Sequence, residues 1–510
     1  MAGQAEMNRK AEEIPRATRE PTRGGPLLPW RVLCLLTFVL LALVLYRLFL
    51  VLPHHTGVNH VAGAWATLAD DLRHGSLYRP LMSELGYGGT RYMPLHFVLH
   101  AGLMRLTGEP LWSGYILTLL SLLATCGAIW VWLRRLGAER WLATVAAALV
   151  LAAAPIQLAL ITIRGDLLAA ALSLWGLALC PCAPEESAAE SGEGNARVVW
   201  PALFFTLAFL TKITAVFGAA AAIGALWLSP GRRRAAWRLL LYTAIGFAVG
   251  LALTTWASHG RIWESMRACA SGGHPSLRGI QHLIFRAFEN DPVGVFLIAV
   301  ALAAAASLPR SQWRRLPTLA FAFSGLVTLF ISLSPGADWN HLIDVDLCAL
   351  VVLVSVAIRG PVPSAWGTSL LSALALLAVV HTAAIGTVSN ARSNQMARRE
   401  SVAAIREMAA SGVVLVENVG MAIEAGQRPY LLDPFSLRLL RQRRPDIDRD
   451  FLGKMDSRFF RAIVLPRDPS KETERGWYEN WHLGPGFLER LAQNYRRDER
   501  YALSHVYVPK

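Results

Sequence analysis

Charge is what this sequence is short of. Only 17% of its 510 residues are Asp, Glu, Lys or Arg, against about 25% in an average soluble domain. The deficit excludes a chain whose surface is solvated all round, and the 54% hydrophobic content and mean hydropathy of +0.37 point the same way. Cysteine is also scarce, with six in all. They are Cys34, Cys126, Cys180, Cys182, Cys269 and Cys348, and most lie inside apolar runs, where the thiol behaves as a small hydrophobe, so no disulfide framework is expected. Cys180-Pro181-Cys182 has no second Cys/His cluster beside it and reads as a helix end. Walker loops, a GxGxxG opening a helix after a strand, and a GxSxG elbow are all missing, which argues against direct use of a cytoplasmic nucleotide donor. No internal repeat is present.

What is there is long apolar runs separated by short basic clusters. Net charge is +14, from 50 basic and 36 acidic residues. Many of the arginines stand between apolar segments, so orientation in a membrane explains them and nucleic acid does not. Trp30 to Leu52 is long enough to cross about 30 Å of hydrocarbon. Further spans are expected near 113–133, 141–160, 166–181, 199–213, 214–229, 236–256, 292–308, 316–333, 343–358 and 365–387, about eleven crossings in all. Lys212 interrupts the stretch 199–229, which is therefore split into two short helices. Residues 1–29 read as a polar cytoplasmic tail, 30–388 as the membrane domain with a long first outer loop at 53–112, and 389–510 as a soluble extracytoplasmic domain.

The basic residues set the orientation. Arg134, Arg135 and Arg140, then Arg232, Arg233, Arg234 and Arg238, then Arg310, Arg314 and Arg315 fall on one side if the N-terminus is cytoplasmic. The loop 182–198 is acidic and rich in Ser and Gly, and does not change this. The polar chemistry then gathers on the outer face. It comprises the loop with His54, His55, Asn59, His60, Asp70, Asp71, Glu84, Arg91 and Tyr92, the turn Arg164-Gly165-Asp166, Lys212, and Asp338 to His341 with Asp344 and Asp346. Each group has a plainer reading. Arg164 and Asp166 pair and cap a helix, Asp70 and Asp71 solvate the outer side of an amphipathic helix, and His54, His55 and His60 match no zinc-type spacing. Lys212 resists such a reading, because an unpaired ammonium in hydrocarbon costs roughly 2.5–3.5 kcal/mol, so it must meet water, an anion or a carboxylate. After residue 388, Val413–Val416 and Ala462–Leu465 read as buried strands. Arg399–Ala410 and Phe435–Arg444 read as helices, the latter started by Asp433-Pro434. The fold class expected is an α-helical polytopic membrane protein with a small C-terminal α/β domain.

These pieces, in this order, resemble the GT-C superfamily of polytopic glycosyltransferases, in particular the bacterial family 39-like branch that includes protein O-mannosyltransferases and aminoarabinose transferases. The resemblance spans nearly the whole chain. It is carried by Gly75-Ser76-Leu77-Tyr78 leading to Arg91-Tyr92-Met93-Pro94-Leu95, by Leu106-Thr107-Gly108, by Arg164-Gly165-Asp166-Leu167-Leu168, by Leu210-Thr211-Lys212 and by Asn340-His341-Leu342-Ile343-Asp344. Glu424 to Pro429 and Asp433-Pro434-Phe435 resemble an outer-domain signature of the same branch.

Such a resemblance implies an enzyme of the bacterial cytoplasmic membrane, with its N-terminus inside and C-terminus outside. It takes a sugar from a polyprenyl-phosphate-linked donor, inverts the anomeric centre, and passes the sugar to a lipid, glycan or protein acceptor at the outer face. By the same resemblance Arg91, Arg164 and Lys212 are the expected donor-phosphate ligands. Asn59, Tyr92, Asp166, Asn340, His341 and Asp344 are the expected substrate contacts. Family members carry an acidic residue early in the first outer loop, as base or metal ligand. The matching stretch here is Val58-Asn59-His60-Val61, with no carboxylate. The expected base is therefore His60, whose unperturbed pKa lies near neutrality, or else Asp70 or Asp71, and a divalent metal stays an open option. A lipid-linked substrate transporter and a non-catalytic subunit of the same fold are the alternative readings.

Overall fold

The computed structural model describes residues 27–181, 196–269, 275–334, 336–359, 364–385 and 388–510. Cys182, the N-terminal stretch through residue 26 and most of the acidic loop 182–198 lie outside them. Each expected span falls on a helix or a bent helix pair. In chain order these are α1 (Leu27–Val51), the outer-loop helices α2 (His60–Arg73) and α3 (Leu95–Thr107), α4 (Pro110–Arg135), α5 (Arg140–Ala148), α6 (Ala154–Leu160) and α7 (Asp166–Leu179). Next come α8 (Ala196–Thr211), α9 (Phe217–Leu228), α10 (Arg233–Ala257), α11 (Arg261–Cys269), α12 (Leu277–Asn290), α13 (Pro292–Ala306) and α14 (Arg310–Trp313). The membrane part ends with α15 (Leu316–Ser332), α16 (Ile343–Arg359) and α17 (Ser364–Ile385).

Among the described residues five helices are long and apolar enough to cross a membrane, or seven if each bent pair is one span. The α5–α6 pair bends by 77° and the α12–α13 pair by 111°. The second bend has a visible cause. Asp291 Oδ1 accepts from Gly294 N at 3.0 Å, capping α13, and from Ala154 N at 3.0 Å, where α6 begins. Between the expected spans 236–256 and 292–308, the described residues contain two amphipathic helices, α11 and α12.

The split at Lys212 is present, with α8 ending at Thr211 and α9 starting at Phe217. Helices α7 and α9 have 14 and 12 residues, rising roughly 21 and 18 Å against the ~30 Å of a hydrocarbon core. Polar groups at their ends therefore stand at or inside the apolar boundary and need partners. Helix α7 packs between α4 and α8, and α1 lies against α17.

The C-terminal region begins with α18 (Val388–Ala409) and continues through β3 (Val414–Val416), α19 (Val419–Glu424), α20 (Pro434–Arg443), α21 (Pro445–Asp456), β4 (Ala462–Leu465), α22 (Glu472–Gly476), α23 (Phe487–Asn494), β5 (Tyr495–Arg497) and β6 (His505–Pro509). The order across the sheet is β3-β4-β6-β5, with β3 parallel to β4 and the other pairs antiparallel. All four residues of β4 are buried because both faces are covered. Leu415, Ile463 and Leu465 point into one apolar cluster, and Val416, Ala462 and Val464 into another, the period-two alternation of a strand. Asp433 caps α20 by accepting from Phe435 N.

The outer loop is bound into this region. The short strands β1 (Met82–Ser83) and β2 (Gly86–Tyr87) form a hairpin, and Tyr87 exchanges backbone hydrogen bonds with Tyr430 and Leu432 at 2.9 and 3.0 Å. A Cβ on Gly86, whose φ is +96°, would meet the Tyr430 carbonyl oxygen at 1.8 Å. Helices α2 and α19 cross at Gly63 and Gly420, where a Cβ on Gly63 would lie 2.2 Å from the Gly420 nitrogen. Glycine is required at both approaches.

Candidate functional site

Lys212 meets a carboxylate. Its Nζ donates to Asp166 Oδ1 at 2.6 Å, and Asn340 Nδ2 donates to the same oxygen at 3.2 Å. Three separate chain turns, at the start of α7, the α8–α9 corner and the start of α16, are thereby tied together. Asp166 is thus the partner of Lys212 and not of Arg164. Arg164 has a buried Nε with no hydrogen-bond partner. Arg91 lies over the Phe435 ring at 4.8 Å, and neither arginine has a carboxylate within ion-pair distance among the described residues. Both are within electrostatic reach of Tyr92, His341 and His60, while Asp344 interacts with Lys212 and Asp166. Tyr92 is stacked on Trp65 at 4.2 Å, and burial raises its hydroxyl above the ordinary tyrosine range.

The three expected phosphate ligands are thus linked, by hydrogen bonds or electrostatic reach, to Tyr92, Asp166, Asn340, His341 and Asp344. Two unpaired guanidiniums beside an ion-paired ammonium form a site with excess positive charge. Such a site suits an anion with several acceptor oxygens.

His60 lies within electrostatic reach of Arg164 and Arg91 but belongs to a different cluster. It opens α2, whose cap is Asn59, with Asn59 Oδ1 accepting from Ala62 N at 3.1 Å. The Asn59 side-chain carbonyl oxygen is accordingly committed to the helix start. The His60 ring lies 4.4 Å from the His482 ring and 5.8 Å from Trp477. His482 Nδ1 donates to Glu417 Oε1, and Trp477 Nε1 donates to the same oxygen at 3.2 Å. The placement follows from local structure. Glu417 directly follows β3, and Trp477 and His482 are the two ends of a π-helical turn, a form frequent at functional sites. Arg467 covers the group, stacked 3.8 Å over Trp477. Burial, then the neighbouring His482 and the guanidiniums of Arg164, Arg467 and Arg91, hold the His60 imidazole well below the ordinary histidine range. One donor atom each from His60, Glu417 and His482 lie within 4.8 Å of one another. Two imidazoles and a carboxylate are a donor set that zinc accepts with a fourth position open.

Asp71 and Asp70 stand elsewhere. Asp71 has no solvent exposure, is gripped by Arg79 at 2.7 and 2.8 Å, and also accepts from Arg428 at 2.8 and 3.0 Å. Arg79 in turn donates to the Pro429 carbonyl at 2.8 Å. Two cations already occupy this carboxylate, so it fastens the outer loop to the C-terminal region and is not free to take a proton from a substrate. Asp70 pairs loosely with His74 at 3.7 Å. Burial, and after it the Asp71 charge, raise its carboxyl above the usual range against a pull from His74. Ten residues along α2 put it roughly 15 Å from His60.

Glu417, His482, Trp477 and Arg467 are absent from the sequence expectations. The signal for Glu417 was a carboxylate directly after a buried strand. His482 lay in Trp477-Tyr478-Glu479-Asn480-Trp481-His482 without a motif to mark it.

Several solved structures share this architecture. ArnT from Cupriavidus metallidurans, bound to undecaprenyl phosphate, aligns over 92% of this chain and 97% of its own, with TM-score 0.58 and 14% identity. The chain has the GT-C fold. The oligosaccharyltransferase of Archaeoglobus fulgidus, solved with an inhibitory peptide and a dolichol-phosphate, aligns over 90% of this chain and 72% of its own, with TM-score 0.54 and 11% identity. Its complex with Zn and sulfate gives TM-score 0.54 at 11% identity, over 90% of this chain and 71% of its own. No family model and no curated protein matches the chain by sequence. With that fold and apolar helices of spanning length, the chain is a multi-pass membrane protein.

Proposed function

We propose that this GT-C-fold protein is a glycosyltransferase that takes a sugar from a polyprenyl-phosphate-linked donor at the outer face of a bacterial cytoplasmic membrane, with its C-terminal region outside. The observation that carries the reading is that Arg91 and Arg164, beside Lys212, form no ion pair among the described residues. The neighbours solved with undecaprenyl phosphate and dolichol-phosphate support a lipid phosphate as the anion. In the reaction the acceptor hydroxyl attacks the anomeric carbon from the face opposite the phosphate, the sugar–phosphate bond breaks, and its electron pair leaves with the lipid phosphate. Arg91, Arg164 and Lys212 neutralise the charge growing on that phosphate. Asp166 and Asn340 hold Lys212 in place, and Tyr92, His341 and Asp344 line the sugar side.

His60 is the residue we assign to deprotonating the acceptor, because its imidazole stays neutral at physiological pH and so can accept a proton. It stands where the resembling family carries a carboxylate. A second reading uses the same trio as a divalent metal seat. It is favoured by the donor set of His60, Glu417 and His482 and by the zinc complex of the archaeal neighbour. A divalent ion there would supply Lewis-acid activation of the acceptor hydroxyl.

The test is transfer of labelled sugar from a synthetic polyprenyl-phosphate donor by purified protein. Arg164→Ala and Lys212→Ala should each lower turnover by about 10²–10³, the usual effect of removing one electrostatic contact to a developing anion. Wild-type activity in both variants would remove the proposed phosphate site. Uptake of lipid-linked substrate into liposomes without transfer would replace the enzyme by a transporter.

A further inference from the structure

The opposite end of the helix bundle carries a second basic site. Helix α7 begins at the candidate site and ends, roughly 21 Å further on by its rise, at a cavity of about 540 Å³. Arg135, Arg232, Arg314 and Arg315 line it, and no carboxylate does so among the described residues. Its inner wall is apolar, with Leu177 and Val356 among the residues that form it.

Helix capping accounts for part of this charge. Arg135 donates to the Ala178 carbonyl at 2.5 Å and Arg232 to the Pro181 carbonyl, so both neutralise the C-terminal end of α7. Capping does not account for Arg314 and Arg315. They sit between α14 and α15, exposed at the cavity rim, with no carboxylate within ion-pair distance among the described residues. Arg233 and Arg234 line an adjoining cavity of about 580 Å³ that shares Leu228, Ser229 and Pro230 with the first. A basic rim over an apolar wall at the end of a membrane helix bundle matches both parts of one ligand class. The rim takes a phosphate group, and the wall takes the start of an acyl chain.

We propose that this cavity binds the headgroup of an anionic phospholipid at the membrane face opposite the candidate site. The ligand is a lipid and not free phosphate because the apolar wall has no use for a soluble anion. The proposal stands independently of the glycosyltransferase reading, and its test does not use transfer activity.

The probe is the thermal unfolding midpoint of purified protein in neutral detergent, titrated with phosphatidylglycerol, with phosphatidylcholine, or with soluble glycerol phosphate. Phosphatidylglycerol should raise the midpoint saturably by about 3 °C or more, as expected for a ligand bound only by the folded state. Phosphatidylcholine and glycerol phosphate should not. The double variant Arg314→Glu/Arg315→Glu should unfold like wild type in phosphatidylcholine and lose the response to phosphatidylglycerol. Arg135 and Arg232 are left intact because they hold backbone carbonyls. Equal responses to the two lipids, or a response that survives the double substitution, would overturn the site. An equal rise with glycerol phosphate would overturn the lipid assignment.

Discussion

Replacing Asp71 by Ala separates a structural carboxylate from a catalytic one. Asp71 and Arg79 are both fully buried, and Arg428 shares the same carboxylate oxygen with Arg79. Removing the carboxylate strands the Arg79 guanidinium, left with only the carbonyls of Pro429 and Leu85 as acceptors. Breaking a buried pair by deleting one partner costs about 3–5 kcal/mol, because the remaining charge stays desolvated. At roughly 2–4 °C per kcal/mol for a folding unit of 150–250 residues, the unfolding midpoint falls by roughly 6–20 °C. Asp71→Asn keeps an acceptor for one guanidinium and should lie between Asp71→Ala and wild type. Eleven residues along α2 separate Asp71 from His60 by roughly 16 Å, so turnover per folded molecule, measured well below the lowered midpoint, should stay near wild type. The assay is differential scanning fluorimetry in detergent, paired with initial rates at low temperature. A variant that melts within about 1 °C of wild type yet loses transfer would refute the reasoning and make Asp71 the base.

Acid should spare the reaction longer than an ordinary histidine would. Because the folded state holds the His60 pKa below 6.5, the unfolded chain binds this proton first as pH falls. The His60 contribution to stability is then complete above about pH 7 and declines as pH drops below about 6.5 toward the folded value. The rate profile of wild type should accordingly stay flat through about pH 6.5; an acid limb centred at or above that value would contradict a neutral His60. If the trio seats a metal, dialysed wild type should retain one zinc per chain by elemental analysis and His482→Ala none, whereas no retained zinc in wild type removes that reading. A cytoplasm-dependent reporter fused after Lys510 should be silent, and a signal from it would reverse the orientation.

The membrane part of the fold was legible because its determinants are local. Long apolar runs give helices, and Lys212 could not be left inside one, so both the α8–α9 split and its need for water, an anion or a carboxylate followed from a desolvation cost. The identity of that carboxylate did not. Asp166 is 46 residues away, and an acidic residue opening a helix is equally well explained by the dipole. The bends at Asp291 escaped for the same reason, since the second cap it provides goes to Ala154, 137 residues distant. In the C-terminal region the uninterrupted apolar strands β3 and β4 stood out. The edge pair β5 and β6 did not, because Tyr495-Arg496-Arg497 is one buried residue followed by two exposed ones, with no period-two alternation to mark a strand. Asp70 and Asp71 looked equivalent in sequence, yet one helical step turns Asp71 onto Arg79 and Arg428 and leaves Asp70 beside His74.

The least legible feature, the trio around His60, depends on two parts of the chain being docked. The carbonyl of Val58, two residues before His60, accepts from Arg398 Nη1 at 2.9 Å and from Asn418 Nδ2 at 3.2 Å. Asn418 follows Glu417 directly, so the residue that orients His482 and the residue that fixes the approach to His60 are neighbours in the chain. Arg398 is itself held by Glu424 at 2.7 Å, within the segment Glu424–Pro429 that also supplies Arg428 to Asp71. The conspicuous motif of the outer region is therefore a clamp, and the groups it brings to His60 lie just before it and roughly fifty residues after it. A sequence pattern records the clamp because several of its residues are close together. It does not record the site because Glu417 and His482 become neighbours only once β3 and the π-helical turn are packed side by side. In this architecture the cations proposed for the anion site come from the membrane helix ends and the outer loop, while the groups around His60 are completed by the C-terminal region. Loosening the Val58 clamp should consequently disturb the His60 side of the site before the Lys212–Asp166 side, since no hydrogen bond of the clamp reaches Lys212 or Asp166.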